Sequence, residues 1–192
     1  MAKRTNIVTG LYGWKGAGKT LIMTLFLYLE YLADRHVYNN YQLEFEFEWL
    51  KGHDMVELAS HLSNAAVGID ELHEYADCRN SGTLQNKRVS DFFLQSRHRN
   101  ANIYYTTQYK DQVDKRIRRI TDIDIICENL HIDSDQDGDE DMFRFTMKDC
   151  RITPPVIITR TLYAKPLFDM YDSGEIINPF TYKKKKEVKK LA

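Results

Sequence analysis

The chain has 192 residues, 29 % of them charged, yet its formal net charge is only −1. That length suits one α/β domain with a full core, and the balanced charge excludes a global basic field, so any nucleic-acid contact must be a local patch. The three cysteines, Cys78, Cys127 and Cys150, are odd in number and far apart, which excludes a disulfide framework or zinc pattern and suggests a reducing compartment; no apolar run nears the ~20 residues of a membrane span, and residues 1–5 carry no secretory apolar segment.

Residues 6–12 form a short β-prone stretch. Gly13-Trp14-Lys15-Gly16-Ala17-Gly18-Lys19-Thr20 then fits G-x-x-x-x-G-K-[S/T] at every fixed position. An apolar helix candidate follows and runs to about Arg35. Strand, loop and helix in that order are the setting the motif requires. Glycines let backbone N–H groups curl inward around phosphate oxygens, and the helix start adds free N–H groups and the positive end of its dipole. Lys19 is expected to reach the β- and γ-phosphates, and the Thr20 hydroxyl to ligate Mg²⁺.

Residues 36–43 read as a second strand with a polar interruption. Residues 44–50 alternate acidic and aromatic side chains, as either an edge strand or an extended arm packing its aromatic face on a neighbour. A short helix begun by an Asp cap is expected over 54–62. Residues 65–71 are a small apolar strand ending in Asp70 and Glu71. After a phosphate loop, such a strand delivers its Asp to the metal through water, and Glu71 would polarise the attacking water as general base. Standing alone, the same pattern would be only a solvated strand end.

The polar run 77–88 reads as a mobile loop. Residues 89–100 form an amphipathic helix with Phe92, Phe93 and Leu94 inward and a basic end holding Arg97 and Arg99. Those arginines suit the helix dipole; alternatively, one reaches the nucleotide of a neighbouring subunit. Residues 102–108 are a core strand ending in Gln108, either a turn residue or a sensor that hydrogen-bonds the attacking water or a phosphate oxygen. Residues 111–120 are a short helix or loop with four cations, which is either a solvated face or a contact to DNA backbone or to a neighbour's nucleotide.

A strand begins at Thr121 and runs towards Ile132. Residues 133–141 start like a calcium loop but would place Arg144 where such a loop needs Glu, so a charged hairpin turn is expected, with 142–147 returning. Residues 154–163 are β-rich, 171–175 a turn, and 183–190 a lysine block that is either disordered or laid on nucleic-acid backbone. The expected organisation is one domain over 1–182 and a basic tail over 183–192, with no internal repeat.

Together, a phosphate loop, an apolar strand ending Asp70-Glu71, a helix ending in arginines and a strand ending Thr106-Thr107-Gln108 resemble the FtsK–HerA superfamily of DNA-pumping ATPases, over roughly Ile7 to Cys127. Within it, the small size and the run Ser96-Arg97-His98-Arg99-Asn100, followed by Tyr104-Tyr105-Thr106-Thr107-Gln108, are similar to two groups. One is the genome-packaging ATPases of membrane-containing icosahedral viruses, archaeal ones included. The other is the zonula-occludens-toxin-like assembly ATPases of filamentous phages. The resemblance implies ATP and Mg²⁺, and a homo-oligomeric ring, a hexamer, pulling double-stranded DNA through its centre. It also implies a capsid or membrane protein at the packaging vertex, and a place in the host cytoplasm or the virion.

Carried over by position, Gly13, Trp14, Lys15, Gly16, Ala17, Gly18, Lys19 and Thr20 wrap the nucleotide, Thr20 and Asp70 hold the metal, and Glu71 and Gln108 act on water and γ-phosphate. Arg97 or Arg99 matches the trans-acting finger, with Arg116, Arg118 and Arg119 as rivals. The bulky Trp14 and extra Lys15 are unusual, and Lys15 is not at the position of the second signature lysine of partition-type ATPases. Lys87, Arg88, Lys115, Arg116, Arg118 and Arg119 are the candidates for sequence-indifferent contacts to DNA phosphates.

The expected fold is α/β: a three-layer P-loop NTPase of the ASCE type, with a mainly parallel sheet between helices and a C-terminal antiparallel hairpin. The expected function is ATP-driven movement of double-stranded DNA, as in packaging a viral genome. A filamentous-phage assembly ATPase is the first alternative, although the chain shows no membrane span of the kind such proteins usually carry. A non-motor P-loop kinase would need a lid and an acceptor pocket but not Gln108. An NTP-binding switch would not need Glu71.

Overall fold

The computed structural model describes residues 6–50, 55, 58, 62–96, 98–130 and 142–171. Its strands are β1 (Val8–Tyr12), β2 (His36–Asn39), β3 (Glu48–Trp49), β4 (Ala65–Ile69), β5 (Ala101–Thr107), β6 (Ile123–Asn129), β7 (Met142–Asp149) and β8 (Val156–Tyr163). They form one sheet in the order β3-β2-β4-β5-β1-β6-β7-β8. β1 to β6 run parallel, and β7 and β8 complete the sheet antiparallel. The α/β architecture expected from the sequence is the one the chain adopts.

Every residue of β1 and β4 is buried. Small and apolar runs of this kind suit parallel strands covered on both faces. Alternation then sorts their side chains into two layers. Val8, Tyr12, Val67, Ile69, Ile103 and Tyr105 pack with Phe92 and Phe93 of α2 (Leu84–Ser96) and Ile117 of α3 (Lys115–Ile120). Leu11, Ala66 and Ile125 face the other way, onto Ile22, Met23 and Leu27 of α1 (Lys19–Leu32). β5 lies between β1 and β4, with Tyr12 opposite Thr107 and Ile69 opposite Tyr105. The carboxyl ends of three core strands therefore open side by side, where ligands of open α/β sheets bind.

Several sequence expectations need correction. The run over 77–88 is not one loop: Cys78–Asn80 is a 3-10 turn and α2 starts at Leu84, so Lys87 and Arg88 stand on a helix. Thr83 starts that helix, its Oγ1 accepting from the Asn86 N–H at 3.3 Å, which is N-cap geometry. Leu94 points outward, 46 % exposed, because the buried stripe is Val89, Phe92, Phe93 and Ser96. β2 stops at Asn39, and the alternating segment contributes only the two edge residues of β3. Of the short helix or loop expected over 111–120, the helix is the outcome: α3 follows a 3-10 turn, Lys110–Gln112.

Of the helix expected over 54–62, Met55 and Leu58 are helical, and most of the rest lies outside the described residues. So do Arg97, the acidic turn over 133–141 and the basic tail. Among the described residues no helix is long and apolar enough to cross a membrane.

Candidate nucleotide-binding site

Beyond Tyr12 the chain turns through the glycine-rich loop into α1. Gly18, at the helix start, has φ 83°, and a Cβ there would lie 2.5 Å from the Phe143 ring. Gly13 has φ 153°, and a Cβ there would lie 2.5 Å from the Cys127 carbonyl oxygen. Only glycine fits both positions without strain. α1 has no side-chain cap and no acidic residue in its first turn, so its first N–H groups are left for an anion. Lys19 is only 6 % exposed, and its Nζ donates to the Trp14 carbonyl at 3.1 Å, folded back across the loop.

Asp70, just past β4, faces that helix start. The Thr20 hydroxyl lies 3.1 and 3.2 Å from the two Asp70 carboxylate oxygens, and Thr106 donates to Oδ1. Asn40 grips the Asp70 backbone from both sides: the Asp70 N–H donates to its Oδ1 at 2.8 Å, and its Nδ2 donates to the Asp70 carbonyl at 2.9 Å. Burial pushes the Asp70 carboxyl up to about 6, with the Glu71 charge adding, while hydrogen bonds from Thr106 and Thr20 and the Lys19 charge oppose. The hydroxyl and carboxylate oxygens of Thr20 and Asp70 are hard donors, and the pair fits an Mg²⁺ that keeps several waters.

Glu71 has φ 52°, a left-handed backbone uncommon for a side-chain-bearing residue, and its N–H donates to Thr106 Oγ1 at 2.9 Å. His73 Nδ1 stands 3.2 Å from Glu71 Oε2, off the direction of a good hydrogen bond, so Oε2 is buried without an aligned donor. Lys15, Lys19, Thr20, Asp70, Glu71 and Gln108 line one pocket of about 620 Å³, whose walls also include Tyr41, Phe143 and Tyr171.

Other candidates lie elsewhere. Trp14 is 71 % exposed and meets Tyr109 edge-on, ring centroids 5.3 Å apart. Arg99 is exposed at the start of β5, the end of that strand opposite Gln108, about 20 Å away at strand rise. Arg116 is tied to Asp114 at 2.8 Å and to the Ser81 carbonyl at 2.7 Å. Arg118 is half-buried, whereas Lys87, Arg88, Lys115 and Arg119 are exposed on α2 and α3. Among the described residues no arginine lines the pocket.

Sequence reasoning missed Thr106, Asn40, His73 and the aromatic wall. Thr106 belonged to the Thr-Thr-Gln strand end and Asn40 to the polar break after β2, so both carried a weak signal. Phe143 and Tyr171 carried none, since only the strand order brings them to the loop.

The sequence matches the zonular occludens toxin (Zot) family over residues 47–175, a stretch that includes Asp70, Glu71 and Gln108 but not the phosphate loop. No curated protein matches the chain. Among solved structures, the N-terminal domain of zonular occludens toxin from Neisseria meningitidis is similar at 17 % identity and TM-score 0.62, over 87 % of this chain and 99 % of that one. The DNA-packaging ATPase B204 of Sulfolobus turreted icosahedral virus is similar at 12 % identity and TM-score 0.56, over 82 % and 98 %. The ATPase domain of a helicase is similar at 11 % identity and TM-score 0.59, over 90 % and 86 %. B204 of the related virus 2 has been solved with AMP, ATP-gammaS and AMPPCP. At these identities the likeness is one of fold, that of the P-loop NTPases.

Proposed function

The chain belongs to the zonular occludens toxin family, and from that premise we propose that it is an ATPase whose turnover moves DNA during assembly of a virus or phage. One observation carries the reading: Lys19, Thr20, Asp70, Glu71 and Gln108, drawn from three core strands and a helix start, converge on one pocket. On nucleotide entry Lys19 exchanges the Trp14 carbonyl for the β- and γ-phosphates, and the Thr20 hydroxyl releases Asp70. Thr20 and, through water, Asp70 would hold Mg²⁺, which would supply charge neutralisation at the phosphates. Glu71 takes the proton of the attacking water, which Gln108 helps to orient. The finger is an arginine of the next protomer, Arg99 or Arg97; that no arginine among the described residues lines the pocket supports this.

Two kinds of assembly motor share this chemistry. The fold likeness to B204 supports duplex packaging into a capsid, whereas the family match favours a filamentous-phage-type assembly ATPase. The deciding experiment is the ATPase rate with no DNA, with duplex and with single strands, together with the solution mass. A ring stimulated by duplex supports packaging; stimulation by single strands alone supports the second reading. Lys19→Ala should lose nucleotide binding or turnover, and Glu71→Gln should bind ATP without hydrolysing it. A monomer indifferent to DNA, or a Glu71→Gln variant with normal turnover, overturns the proposal.

A further inference from the structure

We propose that His73 is a positioning residue for Glu71, fixing one carboxylate oxygen so that the other faces the water to be deprotonated. The inference rests on the reading of Glu71 as the general base. A 3-10 turn, Leu72–Glu74, follows Glu71 directly and is anchored by the fully buried Leu72. Hydrogen bonds from the Glu74 N–H to the Glu71 carbonyl at 2.9 Å and from the Tyr75 N–H to the Leu72 carbonyl at 2.9 Å close it. The turn folds the His73 ring back beside the Glu71 carboxylate. Nδ1 lies 3.2 Å from Glu71 Oε2, and Nε2 lies 3.4 Å from Glu74 Oε1. Thr107 Oγ1, on the strand that leads into Gln108, stands 3.4 Å from the same Nδ1. His73 thus ties the exit of β4 to the end of β5.

The contact has a chemical consequence. A buried carboxylate oxygen needs a donor, and His73 Nδ1 is the one within reach of Oε2 among the described residues. Pinning Oε2 stops the carboxylate from turning and leaves Oε1 as the proton acceptor. In the step served, a water O–H bond breaks and its proton goes to Glu71 Oε1. The water oxygen bonds the γ-phosphorus, and the bond from that phosphorus to the β–γ bridging oxygen breaks, leaving ADP. His73 neither gains nor loses a proton.

The test compares ATPase kcat and KM of the full chain for wild type, Glu71→Gln, His73→Leu and His73→Asn. Leu and Asn have nearly one shape, but only Asn offers an amide where Nδ1 was. His73→Leu should lower kcat between about 10- and 100-fold with KM nearly unchanged, the effect of a misplaced base. His73→Asn should restore most of the loss. The inference is overturned if His73→Leu turns over normally, if its defect lies in KM, or if His73→Asn is as slow as His73→Leu. Should His73→Leu fail to fold, His73→Gln replaces it, since its amide reaches the Nε2 position and should not rescue. A Glu71→Gln variant with normal turnover fells the parent reading, whereas an inactive Glu71→Gln beside a normal His73→Leu fells only this inference.

Discussion

Asp70 is held where an ionised carboxylate is unfavourable. Its carboxyl moves from the ordinary 3.8 up to about 6, so between those values the folded chain binds a proton that the unfolded chain has released. The stability tied to this group is therefore greatest below pH 3.8, falls as pH rises through about 6, and stays low above that. Ionised Asp70 costs at most about 3 kcal/mol at neutral pH. Asp70→Asn removes the charge. In thermal unfolding without nucleotide or Mg²⁺, its advantage over wild type should therefore grow as pH is raised from about 4 to about 7. A gap independent of pH would contradict the burial argument. The same variant should lose hydrolysis if Asp70 holds the metal as proposed, and the group would then be kept at a cost in stability for its chemistry. Its place beside the phosphate loop was legible, because an apolar strand ending in an Asp-Glu pair is expected to lie next to such a loop. Its partners were not: Thr106 reaches it through the register of β5 on β4, and Asn40 from the end of β2, neither of which a linear pattern encodes.

At the scale of the element, α2 shows why boundaries were harder to read than existence. The stripe of Val89, Phe92, Phe93 and Ser96 is visible as a helical period, but its first turn, Leu84 to Lys87, reads as polar linker. That turn is helical because Thr83 caps it and because Asn86, buried at 2 %, donates from Nδ2 to the Asp77 carbonyl at 2.6 Å. Leu94 looked like a core residue by composition, and the period puts it outside. The contrast predicts urea unfolding energies. Phe93 is fully buried, edge-on to Tyr105 at 5.9 Å, and Phe93→Ala should cost about 3–5 kcal/mol. Leu94→Ala should cost under about 1 kcal/mol. Equal losses would mean that Leu94 is covered in the assembled state, which repeating the measurement on the separated protomer would show.

For the whole molecule, the strand order decides what one chain can do alone. It gathers the carboxyl ends of β1, β4 and β5 around the pocket and leaves Arg99 at the opposite, amino end of the core strands. The parallel core was legible from apolar runs alternating with helices. The wall made by Phe143 and Tyr171 was not, because it depends on β7 and the segment after β8 returning over α1. An arginine beyond reach in its own protomer can serve the pocket only across a head-to-tail contact, which makes a ring where the rotation closes. This arrangement makes a prediction with a definite size. If Arg99 is the finger, Arg99→Ala protomers keep an intact pocket but offer no finger, and Lys19→Ala protomers keep the finger but have a dead pocket. Each alone should be nearly inactive. In an equal mixture, a complete junction needs an Arg99→Ala pocket beside a Lys19→Ala arginine, which random assembly gives at about a quarter of junctions, so about a quarter of wild-type ATPase should return. Arg97→Ala separates the two arginines: the true finger's variant is nearly inactive alone and recovers only in the mixture, whereas the other arginine's variant is active without a partner. If Arg99→Ala and Arg97→Ala each turn over normally on their own, neither is the finger, and it must come from the α3 set, where Arg119 is the exposed arginine and Arg116 is already tied to Asp114.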